Sequence, residues 1–155
     1  MFDLAAGDTA SPQLASRIVW FDAFVTNVDR TPHNPNLLCW HRSLYLIDHG
    51  AALYFHHNWQ NIDQMATSRF TPIRKHILLP WASEIEAADA AARPILTEDI
   101  LTKIVRSVPD EWLLPVGSSE KPADRRGAYI EYFSLRLKSA SSFVEEALRA
   151  RAELV

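Results

Sequence analysis

The sequence predicts a mainly α-helical domain carrying one small β-hairpin near its N-terminal end. Three observations point there. Apolar residues recur at steps of three and four in the N-terminal and C-terminal segments, the spacing of buried helical stripes. Two apolar runs, Leu37-Leu38-Cys39-Trp40 and Leu44-Tyr45-Leu46-Ile47, flank the polar break His41-Arg42-Ser43, which is the pattern of a hairpin. Beyond Gly50 the chain reads as helical or irregular, punctuated by Pro72, Pro80, Pro94, Pro109, Pro115 and Pro122.

Taken in order, residues 1–12 are small and polar, end in Ser11-Pro12 and read as a loose lead-in to a single helical domain over 13–155. Leu14, Ile18, Phe21 and Val25, broadened by Trp20 and Phe24, predict a helix over about 13–26 with those side chains buried. The stripe stops at Asn27, and Pro32, Pro35 and a dense polar set make the next ten residues an ordered loop. The hairpin follows over 37–47. Trp59 to Phe70 is an ambiguous helix. Ser83 with Glu86 fits a capping box, and Thr97 followed by Glu98 and Asp99 opens a helix whose buried face is Ile100, Leu101, Ile104 and Val105. From about Ala123 to Glu153 the periodicity of Ile130, Phe133, Leu137, Val144 and Leu148 gives one long helix, or two joined near Ser139 to Ser142. Tyr54, Phe55, Trp59, Phe70, Trp81 and Trp112 read as core aromatics.

Length and composition narrow the class. A chain of 155 residues suits one domain. With 48% apolar and 23% charged residues, it has the composition of a folded globular protein, not of a disordered or fibrous one. A net charge of −3 with scattered basic residues leaves no nucleic-acid footprint. The lone Cys39 precludes an internal disulfide and suits a reducing compartment as a half-buried strand residue. No apolar run is long enough for a membrane span, and the first residues lack the basic segment of a signal peptide. The expected location is therefore the cytoplasm, with no membrane partner.

The chemistry is concentrated in 27-NVDRTPHNPNLLCWHRSLYLIDHG-50. Phosphoryl transfer needs a carboxylate near the incoming hydroxyl, an oxygen ligand on a loop and a second carboxylate, which together hold Mg²⁺ on nucleotide phosphates. Asp29, Asn36 and Asp48 have the right side chains. A hairpin over 37–47 brings Asn36, before its first strand, beside Asp48, after its second, and Gly50 permits a backbone turn there.

This order of Asp, Asn, hairpin and Asp-x-Gly resembles the catalytic and metal-binding loops of protein-kinase-like folds, with 48-DHG-50 in place of Asp-Phe-Gly. The closer likeness is to the HipA-like and phosphatidylinositol-kinase-like branch, whose Asn-x-Asp-Arg is here 27-NVDR-30. The run from Trp20 through Trp59, with FDAFVTNVDR, NPNLL and LIDHGAALYFHH, is similar to the HipA-like kinase domain. That resemblance implies the C-terminal lobe of a kinase fold and a phosphotransferase using ATP and Mg²⁺ on a hydroxyl acceptor, with proteins among the acceptors. It implies Asp29 as catalytic base or hydroxyl-positioning group, Asn34, Asn36 and Asp48 toward the nucleotide, and Asn36 and Asp48 as metal ligands. Kinases usually place the metal-binding Asn five residues after the Asp, which here is Asn34; strand entry favours Asn36.

The family's N-terminal lobe supplies a phosphate-covering loop and a strand Lys. The residues before Asn27 contain only Gly7 as glycine and no Lys. The resemblance therefore covers the C-terminal lobe, and a separately encoded N-lobe or a homodimer partner would cover its open face. The alternative function is a non-catalytic, kinase-like interaction domain. Arg30 reads either as a group orienting Asp29 or touching phosphate, or, as is commoner beside an Asp, as a local ion pair. His49, His56 and His57 offer a weaker zinc reading with Asp48. Ser43, at the hairpin tip, reads as a turn residue, and no nucleophile elbow accompanies it.

Overall fold

A computed structural model of the chain describes residues 9–41, 43–57, 59, 61–114 and 118–155. Most of the expected lead-in, 1–8, together with Arg42 and Pro115, lies outside the described residues. The fold is mainly α-helical with one antiparallel hairpin. In chain order it comprises α1 (Pro12–Phe24), β1 (Leu37–Trp40), β2 (Ser43–Leu46), α2 (Ile62–Ala66), α3 (Ile85–Ala92), α4 (Glu98–Arg106), α5 (Asp110–Leu113), α6 (Pro122–Lys138) and α7 (Ala140–Ala152). Short 3-10 turns occur at Tyr54–His57, Thr71–Lys75 and Leu79–Trp81.

Helix α1 starts where its sequence says it should: the Ser11 hydroxyl accepts the Leu14 N–H at 3.2 Å, and Pro12 occupies the first turn, where its missing N–H is harmless. It packs against α3, α7 and the 3-10 turns. Of the expected stripe Ile18, Trp20, Phe24 and Val25 are buried, but its centre shifts away from Leu14 and Phe21. Ala15, Ile18, Val19, Asp22 and Ala23 face inward, while Leu14 and Phe21 are each 39% exposed. Small Ala15 and Ala23 let the neighbouring helices approach closely, and Leu14 and Phe21 are left on the flank. Trp20 stacks on Phe24 at 5.2 Å and meets Phe143 edge-on at 5.7 Å, while its indole N–H donates to Asp89 at 2.9 Å. Each large side chain fully buried in this way contributes about 1.5–3 kcal/mol.

The hairpin is tighter than expected. Ser43 pairs with Trp40, so the strands close one residue earlier than the expected three-residue break and Ser43 is a strand residue. His41 takes the positive φ of 47° that a two-residue hairpin turn demands. Leu37, Cys39, Leu44 and Leu46 form the inward face; Leu38, Trp40 and Tyr45 face outward and are exposed.

Three other expectations change in the folded chain. The Ser83 capping box does not form: α3 begins after Glu84 with no side-chain cap, and the Glu84 N–H is taken instead by the Ser16 hydroxyl of α1 at 2.8 Å. The N-cap of α3 is thus Glu84, held by a contact to α1, one residue later than the box requires. Thr97 does cap α4, but only Leu101 and Val105 are buried there; Ile100 and Ile104 remain exposed because the face that meets α6 and the main core is narrow. Tyr54 and Trp112, expected in the core, are 56% and 80% exposed, whereas Phe55 and Phe70 are buried. The ambiguous stretch 59–70 yields only the short α2. The C-terminal segment is two helices, broken at Ser139.

Arg136 fixes the ends of two elements. Its buried guanidinium donates to the carbonyls of Ala23 at 2.7 Å, Ala66 at 3.0 Å and Ser68 at 2.5 Å, and lies 4.4 Å over the Phe143 ring. Burial draws its pKa down to about 10. The carbonyl of Ala23 belongs to the last turn of α1, where the free carbonyls need donors. Arg136 therefore anchors the helix end from which the polar loop departs.

Candidate functional site

The loop leaves α1 under backbone constraint. Thr26, Asn36, Asp48 and Leu53 all hold left-handed φ values, between 47° and 55°. Such non-glycine conformations cost about 1–3 kcal/mol each and persist only where surroundings enforce them. Here the enforcing contacts are visible. The Leu53 N–H donates to the Val25 carbonyl at 2.7 Å, the Val28 N–H to Ala51 at 3.4 Å, and the hydroxyls of Thr26 and Tyr132 lie 3.3 Å apart. The segment after the hairpin is thereby laid alongside the start of the loop.

A buried carboxylate organises the loop. Asp22, fully buried in α1, accepts Arg30 Nε at 2.5 Å and Nη2 at 3.3 Å, Asn27 Nδ2 at 3.0 Å and His76 Nε2 at 2.9 Å. Burial pushes its pKa up, but the hydrogen bonds from His76 and Arg30 and the charge of Arg30 outweigh that and hold it below the ordinary value. His76 Nδ1 accepts the Leu78 N–H at 3.0 Å, so the ring is the neutral tautomer with its proton on Nε2, donated to Asp22. Burial depresses the His76 pKa, and protonation would set an N–H against the Leu78 N–H.

Two arms run from Asp22 to the loop. Through Asn27, whose Oδ1 accepts the Asp29 N–H at 3.2 Å, it holds the backbone of Asp29. Through Arg30, whose Nη1 donates to the Asn36 carbonyl, it holds Asn36. Arg30 is thus a buried structural cation, as the second reading had it, but its ion-pair partner is Asp22 of α1 and not the neighbouring Asp29.

Asp29 itself is half-buried. Its Oδ2 accepts Asn34 Nδ2 at 2.7 Å and Asn36 Nδ2 at 3.2 Å, and Asn36 Nδ2 also reaches the Asp29 carbonyl at 3.4 Å. Both partners are acceptors, so the Asn36 amide must turn its nitrogen toward them. Its Oδ1 takes no hydrogen bond among the described residues. Asn34 is presented by a turn in which Thr31 and Asn34 exchange backbone hydrogen bonds at 3.0 and 3.1 Å around Pro32-His33.

Across the hairpin base the Ile47 N–H donates to the Asn36 carbonyl at 3.0 Å, extending the ladder by one rung. Asn36 therefore faces the residue next to Asp48. Asp48 is exposed, with Oδ1 accepting the Gly50 N–H at 3.3 Å. Gly50 does not itself take a left-handed φ, as its sequence position suggested; that conformation falls on Asp48. A Cβ on Gly50 would stand 3.3 Å from Asp48 Oδ1, so the glycine clears space for the carboxylate.

Four candidate residues thus occupy one loop and one hairpin base. Asp29, Asn34 and Asn36 are joined directly, and Asp48 reaches them through the hairpin rung. Among the described residues the arrangement offers an oriented carboxylate with its Oδ1 uncommitted, an amide oxygen with no partner, and an exposed second carboxylate. Hard oxygen donors of this kind fit Mg²⁺, which takes one or two protein carboxylates and completes its shell with phosphates and water. Among the described residues no group of three or more His, Cys, Asp or Glu side chains could hold a metal ion, which gives the zinc reading no support there; His49 packs edge-on against Phe21.

Asp22 and His76 escaped sequence reasoning. A signal for Asp22 exists: it lies one turn beyond Ile18 on the buried stripe, where a carboxylate needs a partner. Nothing in the sequence marks His76, 54 positions away. Among the described residues no helix is long and apolar enough to cross a membrane. A family model described as HipA-like kinase matches residues 2–145, most of the chain. No curated protein and no solved structure matches.

Proposed function

The chain belongs to the HipA-like kinase family, and from that premise we propose that it is the C-terminal catalytic lobe of an ATP- and Mg²⁺-dependent phosphotransferase acting on a hydroxyl acceptor. One observation supports the reading: the Asn36 amide is turned by Asp29 so that its oxygen has no partner among the described residues, at the base of the hairpin that also presents Asp48. That is what a loop built to hold a cation beside a proton acceptor requires.

In this reading Asn36 Oδ1 and Asp48 would hold Mg²⁺, with Asn34 as a second polar contact toward the nucleotide. The metal, when bound, neutralises the charge of the phosphates. Asp29 Oδ1 accepts the proton of the acceptor hydroxyl as its oxygen attacks the γ-phosphorus; the bond from that phosphorus to the bridging oxygen breaks, and ADP leaves. Asn34 and Asn36 hold the Asp29 carboxylate by its other oxygen, which aims Oδ1 without competing for it. Asp22, through Asn27 and Arg30, keeps both halves in register. A lobe bearing a phosphate-covering loop and a Lys would complete the nucleotide site.

Calorimetric titration of ATP with and without Mg²⁺, run beside Asp48→Asn, tests this. Magnesium-dependent heat that disappears in the variant supports the reading; no binding at millimolar ATP, or binding indifferent to Asp48, removes it. A second reading, a non-catalytic domain that binds a partner protein, draws on the exposed outer face of the hairpin, Leu38, Trp40 and Tyr45. Absent ATP binding would leave that one standing.

A further inference from the structure

Behind the loop the protein has a cavity of about 400 Å³ that the nucleotide reading does not use. Its base is the hydroxyl pair of Thr26 and Tyr132, 3.3 Å apart. Its walls are Val28, Phe55, Met65 and Phe70. The volume and the mainly apolar lining with a few polar groups are those of a ligand site. Its position relative to the loop gives it a direction: Val28 precedes Asp29 directly, so their Cα atoms stand about 3.8 Å apart.

The mouth is built differently from the interior. Gln64, Ser68, Arg69 and Thr71 line it and are exposed, so one apolar group can enter while the chain bearing it stays at the rim among hydrogen-bonding side chains. Arg69 forms no ion pair or hydrogen bond among the described residues. Glu146, which feels the Arg69 charge, is already paired with Arg149. The rim therefore offers a cation to an incoming carboxylate.

We propose that this cavity is the acceptor-side pocket of the protein and takes a peptide. A large apolar side chain close to the hydroxyl-bearing residue fills the space between Val28, Phe55, Met65 and Phe70, and an acidic residue further along pairs with Arg69. The proposal rests on the phosphotransferase reading for the word acceptor; the binding itself does not. Thr26 links the two sites, since its left-handed backbone starts the loop toward Asp29 while its hydroxyl forms the base of the pocket. An occupied pocket would hold the neighbouring hydroxyl at the Asp29 end of the loop.

The chain offers a direct probe, because Met65 is one of two methionines, with Met1 as internal control. Methyl-¹³C methionine spectra of the full chain are followed during titration with acetyl-Ala-Ser-Leu-Ala-Glu-amide, the same peptide with Ala for Leu, and the same peptide with Lys for Glu. The Leu peptide should move the Met65 signal saturably, leave Met1 in place, and bind at least about tenfold more tightly than the Ala peptide. Arg69→Gln, at an exposed position where the fold should persist, should weaken the Glu peptide several-fold and erase its advantage over the Lys peptide. A Met65 signal unmoved by the Leu peptide, or moved equally by the Ala peptide, overturns the proposal. Indifference to Arg69→Gln overturns its acidic half. ATP titrations on the same samples separate the two readings. Magnesium-dependent ATP binding without peptide binding removes the pocket alone, and peptide binding without ATP binding supports the pocket while removing the transfer chemistry.

Discussion

At the scale of single residues, Asp22 is the side chain on which the loop depends. It is fully buried and accepts hydrogen bonds from Arg30, Asn27 and His76 at once. Asp22→Asn keeps the shape but leaves Arg30 a buried cation without its carboxylate, which should lower stability by about 3–5 kcal/mol, read by urea unfolding. An unchanged midpoint would show that Arg30 is solvated. His76 makes a pH-dependent prediction. Its folded pKa lies below the ordinary imidazole value of 6.5, so the unfolded chain binds its proton first as pH falls. Stability is then fully present above that value and declines below it, by at most about 1.4 kcal/mol per pH unit. His76→Gln still offers Asp22 an N–H donor but does not titrate. Its unfolding free energy should lose that slope between neutral pH and the depressed folded pKa; an identical slope in both proteins would assign the effect elsewhere. Of these residues the sequence exposed Asp29, Asn34, Asn36 and Asp48, because loop residues with hydrogen-bonding side chains cluster visibly. It hid Asp22 and His76, whose partnership spans 54 positions and exists only once α1 and the 3-10 turns pack.

At the scale of elements, the hairpin and α1 were legible because each answers to a local rule. Alternating burial with two ladder partners sets β1 and β2, and a hydroxyl before Pro sets the start of α1. The shift of the α1 stripe was not legible, since 3.6-residue periodicity admits several adjacent faces and only the neighbours choose among them. Ala15 and Ala23 are chosen because α3 and α7 come close. The failed cap at α3 has the same origin: Ser16 of α1 satisfies Glu84, and no local sequence records that contact. Arg136 shows what such contacts are worth. Arg136→Met would take the guanidinium donor from the carbonyls of Ala23, Ala66 and Ser68; Ala23 keeps the Thr26 N–H at 3.4 Å, and each buried carbonyl left with no donor costs about 1–3 kcal/mol. Methionine recovers part of that through apolar burial, so a net loss of about 2–4 kcal/mol in urea unfolding is expected. A neutral or stabilising outcome would mean that water replaces the guanidinium there.

At the scale of the whole molecule, one apolar cluster runs from Ala10 in the N-terminal segment to Ala150 in α7 and takes in α1, β1, α3, α4 and the 3-10 turns. A smaller cluster of Phe55, Ala66 and Tyr132 adjoins it through Leu53 and Phe133, which pack on both. A shared core of this kind should unfold as one unit, with near- and far-ultraviolet circular dichroism following a single urea transition. Two separated transitions would instead make the smaller cluster, and with it the cavity beside Met65, an independent unit. What the sequence by itself determined was the class of fold, the hairpin and its place, and the family likeness carried by NVDR, NPNLL and LIDHG, because these rest on local periodicity and on residues adjacent in the chain. What only the tertiary structure decided was which face of each helix is buried, which buried charges hold the loop, and where a pocket opens beside it. Those depend on contacts between residues tens of positions apart, and a carboxylate such as Asp22 acquires its role only when folding removes water and brings its partners within hydrogen-bond distance.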